Sequence, residues 1–384
     1  MKLYFRISII FCIIFCGMHG IGPSSKVMAA EDRPSILLIS LTDRLDVSAW
    51  YRGIDEYSKL SAVALEVDLE HLALGLSREE IIPFLDKKLS TFPKPDYLIF
   101  ANQLNLGTEI LKLGEKHNVK SFLYIEPLSA DDYSNLSGPR GTYKNWIGQL
   151  IPDDEKAGYD LANKIINDAK KRKIKKGDTS KVRLIAMSGR RSTPAAYLRH
   201  KGLMRAVNTR EDVEFLQSVS ARWAKDVAAR KFIGLQGRYG KIDAVWNAND
   251  TMAMGVISVT ESNGSLPSIG GVDWIDDAVK ALSDEKLVAT MGGHVFDIAY
   301  VVALINNYHQ GIDFADYTGT ASLRSNLMIL TPDNLSDFEA FLKYKDTEKV
   351  DFKKGFKGLV NKDNLKDITI QKFVEQAMNN PERG

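Results

Sequence analysis

The sequence predicts an α/β protein made of two Rossmann-like, doubly wound domains with parallel sheets. Three observations carry this. From residue 33 onward, short β-branched or apolar runs alternate with helical stretches. The runs are continuously apolar instead of alternating, as in parallel strands buried on both faces. Four such units precede residue 130 and five follow residue 180, more than one sheet readily holds, with a loop-rich stretch between them. Strands that alternate with helices imply right-handed βαβ units in an open sheet.

The expected strands are Ser35–Leu41, Ala62–Val67, Asp96–Phe100 and Ser121–Ile125 in the first half. Val182–Met187, Val213–Leu216, Ile242–Trp246, Ser268–Val272 and Leu287–Met291 are those of the second. Between the halves, "IEPLSADDYSNLSGPRGTYKNW" is rich in Ser, Gly, Pro and Asp and reads as loop. The helix after it starts with Asp153, Asp154 and Glu155, where the helix dipole favours negative charge. Its apolar face is Ala157, Leu161, Ala162, Ile165, Ile166 and Ala169. Its end, "KKRKIKK" (Lys170–Lys176), is either a solvated helix terminus or a basic patch for a partner.

The N-terminus differs from the rest. "MKLYFRISIIFCIIFCGMHG" places Lys2 and Arg6 before an apolar run, and small residues follow up to "VMAAED". Residues 1–30 read as a secretory signal peptide cut after Ala29 or Ala30. The run is too short to cross a bilayer as a helix, and an acylated Cys16 is disfavoured by bulky Phe15 before it. Both cysteines, Cys12 and Cys16, would leave with this segment, so no disulfide or thiol chemistry is expected. With Lys2, Arg6 and Lys26 also gone, 48 of the 51 basic residues face 49 acidic ones, a net of −1. That balance gives no sign of nucleic-acid or anionic-membrane binding.

In doubly wound sheets the ligand crevice lies beyond the carboxyl ends of the strands. The polar residues there are Asp43, Asp46, Ser48 and Trp50 after the first strand, Asn102 and Gln103 after the third, and Glu126 after the fourth. Trp223, Asn247, Asn249, Asp250, Asp273, Trp274 and His294 follow later ones. Arg199 falls within the apolar stripe of Ala195, Leu198, Gly202, Leu203 and Ala206. A charge there needs a partner. Arg199 is thus a structural ion pair, a side chain that snorkels out, or a ligand-facing donor. One of Asn249 and Asp250 should cap the next helix, and the surplus polar groups point into a cleft. Trp50, Trp223 and Trp274 sit past strand ends, where flat faces beside polar clamps suit a sugar ring. Nucleophile-elbow and phosphate-loop motifs are absent, and the histidines show no i, i+4 pair. No catalysis, metal or cofactor is expected.

"IDAVWNANDTMAMGV", "GGVDWIDDAVKAL" followed by "LVATM", and "STPAAYLRHKGLMRAV" occur in the order and spacing of one family. In these motifs the chain from residue 31 on resembles the periplasmic sugar-binding proteins of the ribose/galactose-binding class, type I fold. "DVSAWYRGI" is also similar to the autoinducer-2 receptor around Trp50. The resemblance implies a ligand clamped between two lobes around a three-stranded hinge. Residues 31–150 with 294–320 would form one lobe, and residues 151–293 with 321–384 the other. It implies that Arg199, Asn249 and Asp273 bond a ligand and that Trp50 and Trp223 stack on it, with Asp46, Asn102, Glu126 and His294 as further lining. Glu126 stands without the Arg that often accompanies the family's acid there, and His294 replaces a polar residue expected at Gly293. The implied protein is a monomer in the periplasm that passes its ligand to an ABC transporter permease. A sensor kinase in the membrane is the other partner expected of this fold. The stretch from "DNLSDFEAFLKYK" onward exceeds the short C-terminus of simple members.

Overall fold

The alternation of apolar runs and helical stripes becomes two sheets in the computed structural model, which describes residues 33–42, 49–260, 266–343, 351, 354–355 and 368–378. The first half gives β1 (Ser35–Ser40), α1 (Ala49–Leu65), β2 (Asp68–Ala73), α2 (Arg78–Ser90), β3 (Tyr97–Phe100), α3 (Gly107–His117), β4 (Lys120–Tyr124), α4 (Ala130–Asn135) and β5 (Trp146–Pro152). The second gives α5 (Asp154–Lys175), β6 (Val182–Ser188), α6 (Pro194–Asn208), β7 (Val213–Ser220), α7 (Lys225–Tyr239) and β8 (Ala244–Asn247). It continues with α8 (Asp250–Thr260), β9 (Ser268–Val272), α9 (Asp276–Ser283) and β10 (Ala289–Gly292). The chain then forms α10 (Asp297–His309), α11 (Ala315–Thr318), β11 (Ser322–Ser325), β12 (Met328–Leu330) and α12 (Leu335–Lys343), and later α13 (Ile370–Met378).

One six-stranded sheet runs β11-β5-β4-β3-β1-β2 and the other β12-β10-β9-β8-β6-β7. All pairings are parallel except β10 with β12. In each sheet the order reverses beside the first strand, which opens a crevice at the carboxyl ends. The chain passes between the sheets three times, from β5 into α5, from β10 into α10 and from β11 into β12. These are two Rossmann-like layered sheets, the α/β class expected.

Three local expectations need correction. Residues 62–67 are not a strand: α1 runs to Leu65, and Ile54, Tyr57, Ser58, Ser61, Ala62 and Leu65 are its buried stripe. A 3.6-residue period outweighs a short apolar run. The strand that follows, "DLEHLA", lies at the sheet edge and keeps partly exposed faces, so its composition is polar. Second, the loop stretch ends in β5, whose seven residues are all buried and whose Trp146 is fully enclosed. Third, the basic end of α5 is not all solvated, because Lys173 turns inward to Asp178 at 2.8 Å and Asp243 at 3.2 Å.

Helices α5 and α6 touch backbone to backbone, and this contact positions the site. A Cβ on Gly158 would lie 2.0 Å from the Arg199 carbonyl oxygen, and one on Gly202 would lie 1.9 Å from that of Glu155. Only glycine allows that approach. The tail is also anchored at the crossings. Ile368 bridges to Ser325, the Tyr300 hydroxyl donates to the Thr369 carbonyl at 2.8 Å, and Phe373 packs on Phe296 at 4.4 Å.

Candidate ligand-binding site

Arg199 is the centre of the site. It lies on α6, 4% exposed, and α5 crosses close enough to bring Asp154, 2% exposed, alongside. Its Nε donates to Asp154 at 2.7 Å, Nη1 to the Ala248 carbonyl at 2.7 Å and to Asp273 at 3.5 Å, and Nη2 to His294 Nε2 at 3.0 Å. One guanidinium thus ties together α5, the loops after β8 and β9, and the crossing after β10. Of the three roles open in the sequence, a buried ion pair is present. The fork has five N–H groups, and one on Nη2 is left over after these four bonds.

His294 reads out its own protonation. Burial and then the Arg199 charge hold its imidazole well below its usual range, so it is neutral. Because Arg199 can only donate, Nε2 accepts and the hydrogen-bond pattern assigns the proton to Nδ1. That Nδ1 is buried without a partner among the described residues. Trp50 covers the same ring at 4.5 Å between centroids.

The loops after the strands are locally strained. Ile125, Trp223, Asp273 and Trp274 have φ of 65°, 66°, 123° and 59°. Such values cost energy in non-glycine residues and gather at ligand-binding sites. The Trp223 ring lies so close to Gly189 that a Cβ there would be 2.1 Å from it, and the Arg199 guanidinium stands 6.0 Å from the ring centroid. Burial pushes the Asp273 carboxyl up to about 7, with Asp154 adding repulsion and Arg199 opposing. Burial likewise pushes Glu126 up to about 7, again raised by Asp154 and lowered by Arg199.

Asn249 caps α8 by accepting from the Met252 amide at 3.0 Å. The neighbouring Asp250 turns away from the crevice, accepting from Thr290 Oγ1 at 2.8 Å and from the Ile275 amide at 3.3 Å. Asn102 is occupied by backbone groups: its Oδ1 accepts from the Gly107 amide at 2.8 Å and its Nδ2 donates to the Pro127 carbonyl at 2.9 Å. Asp46 lies outside the described residues. Trp274 requires a correction. It is 6% exposed, donates to the Thr290 carbonyl at 3.1 Å and packs on Phe338 at 5.4 Å. The missing Cβ of Gly292 makes room for its ring, so it serves the core.

Sequence reasoning missed Asp154. Its position in a first helical turn suggested only a dipole effect, whereas its buried ion pair depends on the Gly158–Gly202 crossing. Asp297 was also missed; it is 4% exposed and accepts from Ser325 Oγ at the third crossing.

The structure is thus a two-sheet α/β protein with a buried polar cluster at the carboxyl ends of its strands. Residues 148–309 match the family model described as periplasmic binding protein domain. The ribose import binding protein of Haemophilus influenzae is 29% identical over 152 residues, 40% of this chain and 49% of the relative. The match therefore spans about half the length of that curated relative. A periplasmic sugar-binding protein from Pseudomonas fluorescens superimposes with a TM-score of 0.71 at 26% identity, over 85% of this chain and 93% of that one. An ABC transporter periplasmic solute-binding protein from Actinobacillus succinogenes, solved with D-allose, gives 0.66 at 15% identity over 79% and 100%. The chain is thus similar to periplasmic sugar-binding proteins and has their type I fold. Among the described residues no helix is long and apolar enough to cross a membrane.

Proposed function

We propose that the protein is a periplasmic solute-binding component that holds a sugar or sugar-like molecule between its two lobes and delivers it to an ABC transporter. One observation carries this reading. Groups from both sheets and from a crossing segment gather around Arg199: His294 with Trp50 over its ring, Trp223, Asp273 and the nearby Glu126. Flat rings flank donors and acceptors, as a polyhydroxyl ring with an apolar C–H face requires. The Nδ1–H of His294, the spare Arg199 N–H and the Glu126 carboxylate supply both bonding senses for hydroxyls. Lobe closure around that point would shift the population towards the bound form.

The test is thermal and calorimetric titration with a panel of neutral sugars, polyols and sugar acids. A ligand at about 100 times its Kd adds roughly 2.7 kcal/mol of stability. Trp223→Ala should weaken binding at least tenfold with the fold retained. A panel that gives neither heat nor a shift removes the sugar reading.

A further inference from the structure

Among the described residues a groove of about 1080 Å³ shares no lining residue with the Arg199 cluster. Its lining includes Arg190, Arg191, Arg222, Arg230 and Lys231, with Gln217–Ser220 of β7 as its floor, and no acidic residue. Of the five cations, all exposed, only Arg230 has an acidic partner among the described residues, Asp226 at 2.8 Å. Like charges left together without counter-ions repel one another and attract an anionic partner.

A second feature points to what that partner is. At eight residues β7 is the longest strand and the outer edge of its sheet, paired only with β6. An open edge is a template for an added strand. Arg190 and Arg191 on the loop after β6 and Arg222 on the loop after β7 stand at the carboxyl end of that edge, and Arg230 and Lys231 continue the charge onto α7, which follows β7. We infer that this groove docks an extended acidic segment of a partner protein along the β7 edge.

The groove also abuts the candidate site. Arg190 follows Gly189, against which Trp223 rests, and Arg222 precedes Trp223. The two loops are tied by Ser220 Oγ donating to the Gly189 carbonyl at 2.7 Å and the Ala221 amide donating to the Ser188 carbonyl at 2.8 Å. A docked partner would therefore touch the loops that hold the stacking ring.

The experiment uses the purified protein and a fluorescein-labelled hexaglutamate peptide, read by anisotropy at about 50 mM and 500 mM salt. Saturable binding is expected at low salt, weakened at least tenfold at high salt. The Arg190→Glu/Arg191→Glu double variant and, separately, Arg222→Glu should each weaken it at least fivefold. All are exposed, so circular dichroism should be unchanged. The control reverses Lys171 and Lys175, exposed on the basic end of α5, and should shift binding less than twofold. The inference is overturned by a lack of saturable peptide binding, or by equal losses in the control. It also falls if millimolar inorganic phosphate abolishes binding at constant ionic strength, which marks a small-anion site. Vesicles of anionic phospholipid captured where the peptide is not would mark a membrane-binding face instead, and would likewise overturn it.

Discussion

Arg199→Ala is the perturbation that tests the site's architecture most directly. Asp154 is 2% exposed, and its only ion-pair partner among the described residues is the guanidinium at 2.7 Å. Removing one member of a buried pair leaves the other charge uncompensated and costs about 3–5 kcal/mol. The Ala248 carbonyl and His294 Nε2 lose donors as well, each loss about 1–3 kcal/mol taken alone. These overlap, because the losses share one cavity that water can enter. The expected total is therefore about 4 kcal/mol, measured as a lower urea midpoint with unchanged slope in ligand-free protein. Arg199→Lys should recover little, since an ammonium cannot serve Asp154, Ala248 and His294 with a planar fork. In a cycle with Asp154→Ala, the double variant should be at least 2 kcal/mol more stable than the sum of the single losses predicts. A loss under about 1 kcal/mol for Arg199→Ala, or an additive cycle, would refute the claim that this pair organises the site.

Three further outcomes follow from the same structure. Burial pushes both Asp250 and Asp297 up to about 8, against an unfolded value of about 3.9. Between those values the folded state holds more protons, so stability is fully present below about pH 4 and is lost as pH rises through about 8. Asp297→Asn should flatten that decline and stabilise the protein above pH 8; urea midpoints from pH 5 to 9 read it, and an unchanged slope counts against it. Phe373→Ala removes a fully buried ring packed on Phe296, which should cost about 3–5 kcal/mol; a value near zero would show that the tail does not brace the crossings. Gly202→Ala forces a Cβ to within 1.9 Å of the Glu155 carbonyl and should cost about 1–3 kcal/mol or more. It should also weaken ligand binding, because α6 carries Arg199; titration that matches the unaltered protein would contradict this.

The class of fold, the alternation of strands and helices, and the loops past the strand ends were legible in the order of residues alone. Those features are local. Continuous apolar runs mark strands buried on both faces, and a polar residue just past such a run has few places to go. A cap on α8 from Asn249 or Asp250 was legible in the same way, since capping is decided within one turn, and Asn249 supplies it.

Which of these residues meet depends on how whole elements pack. Arg199 finds Asp154 only because two glycines 44 positions apart let α5 and α6 touch, and no periodicity reports on that. Trp274 and Trp223 both follow strands with left-handed backbone. One ring falls over Gly292 into the core, while the other lies on Gly189 beside the guanidinium. Edge strands such as β2 escaped detection because an edge does not need the apolar composition by which central strands are recognised. Residues far apart in sequence become neighbours through the packing of whole elements, and the backbone clearances that govern it exist only in three dimensions.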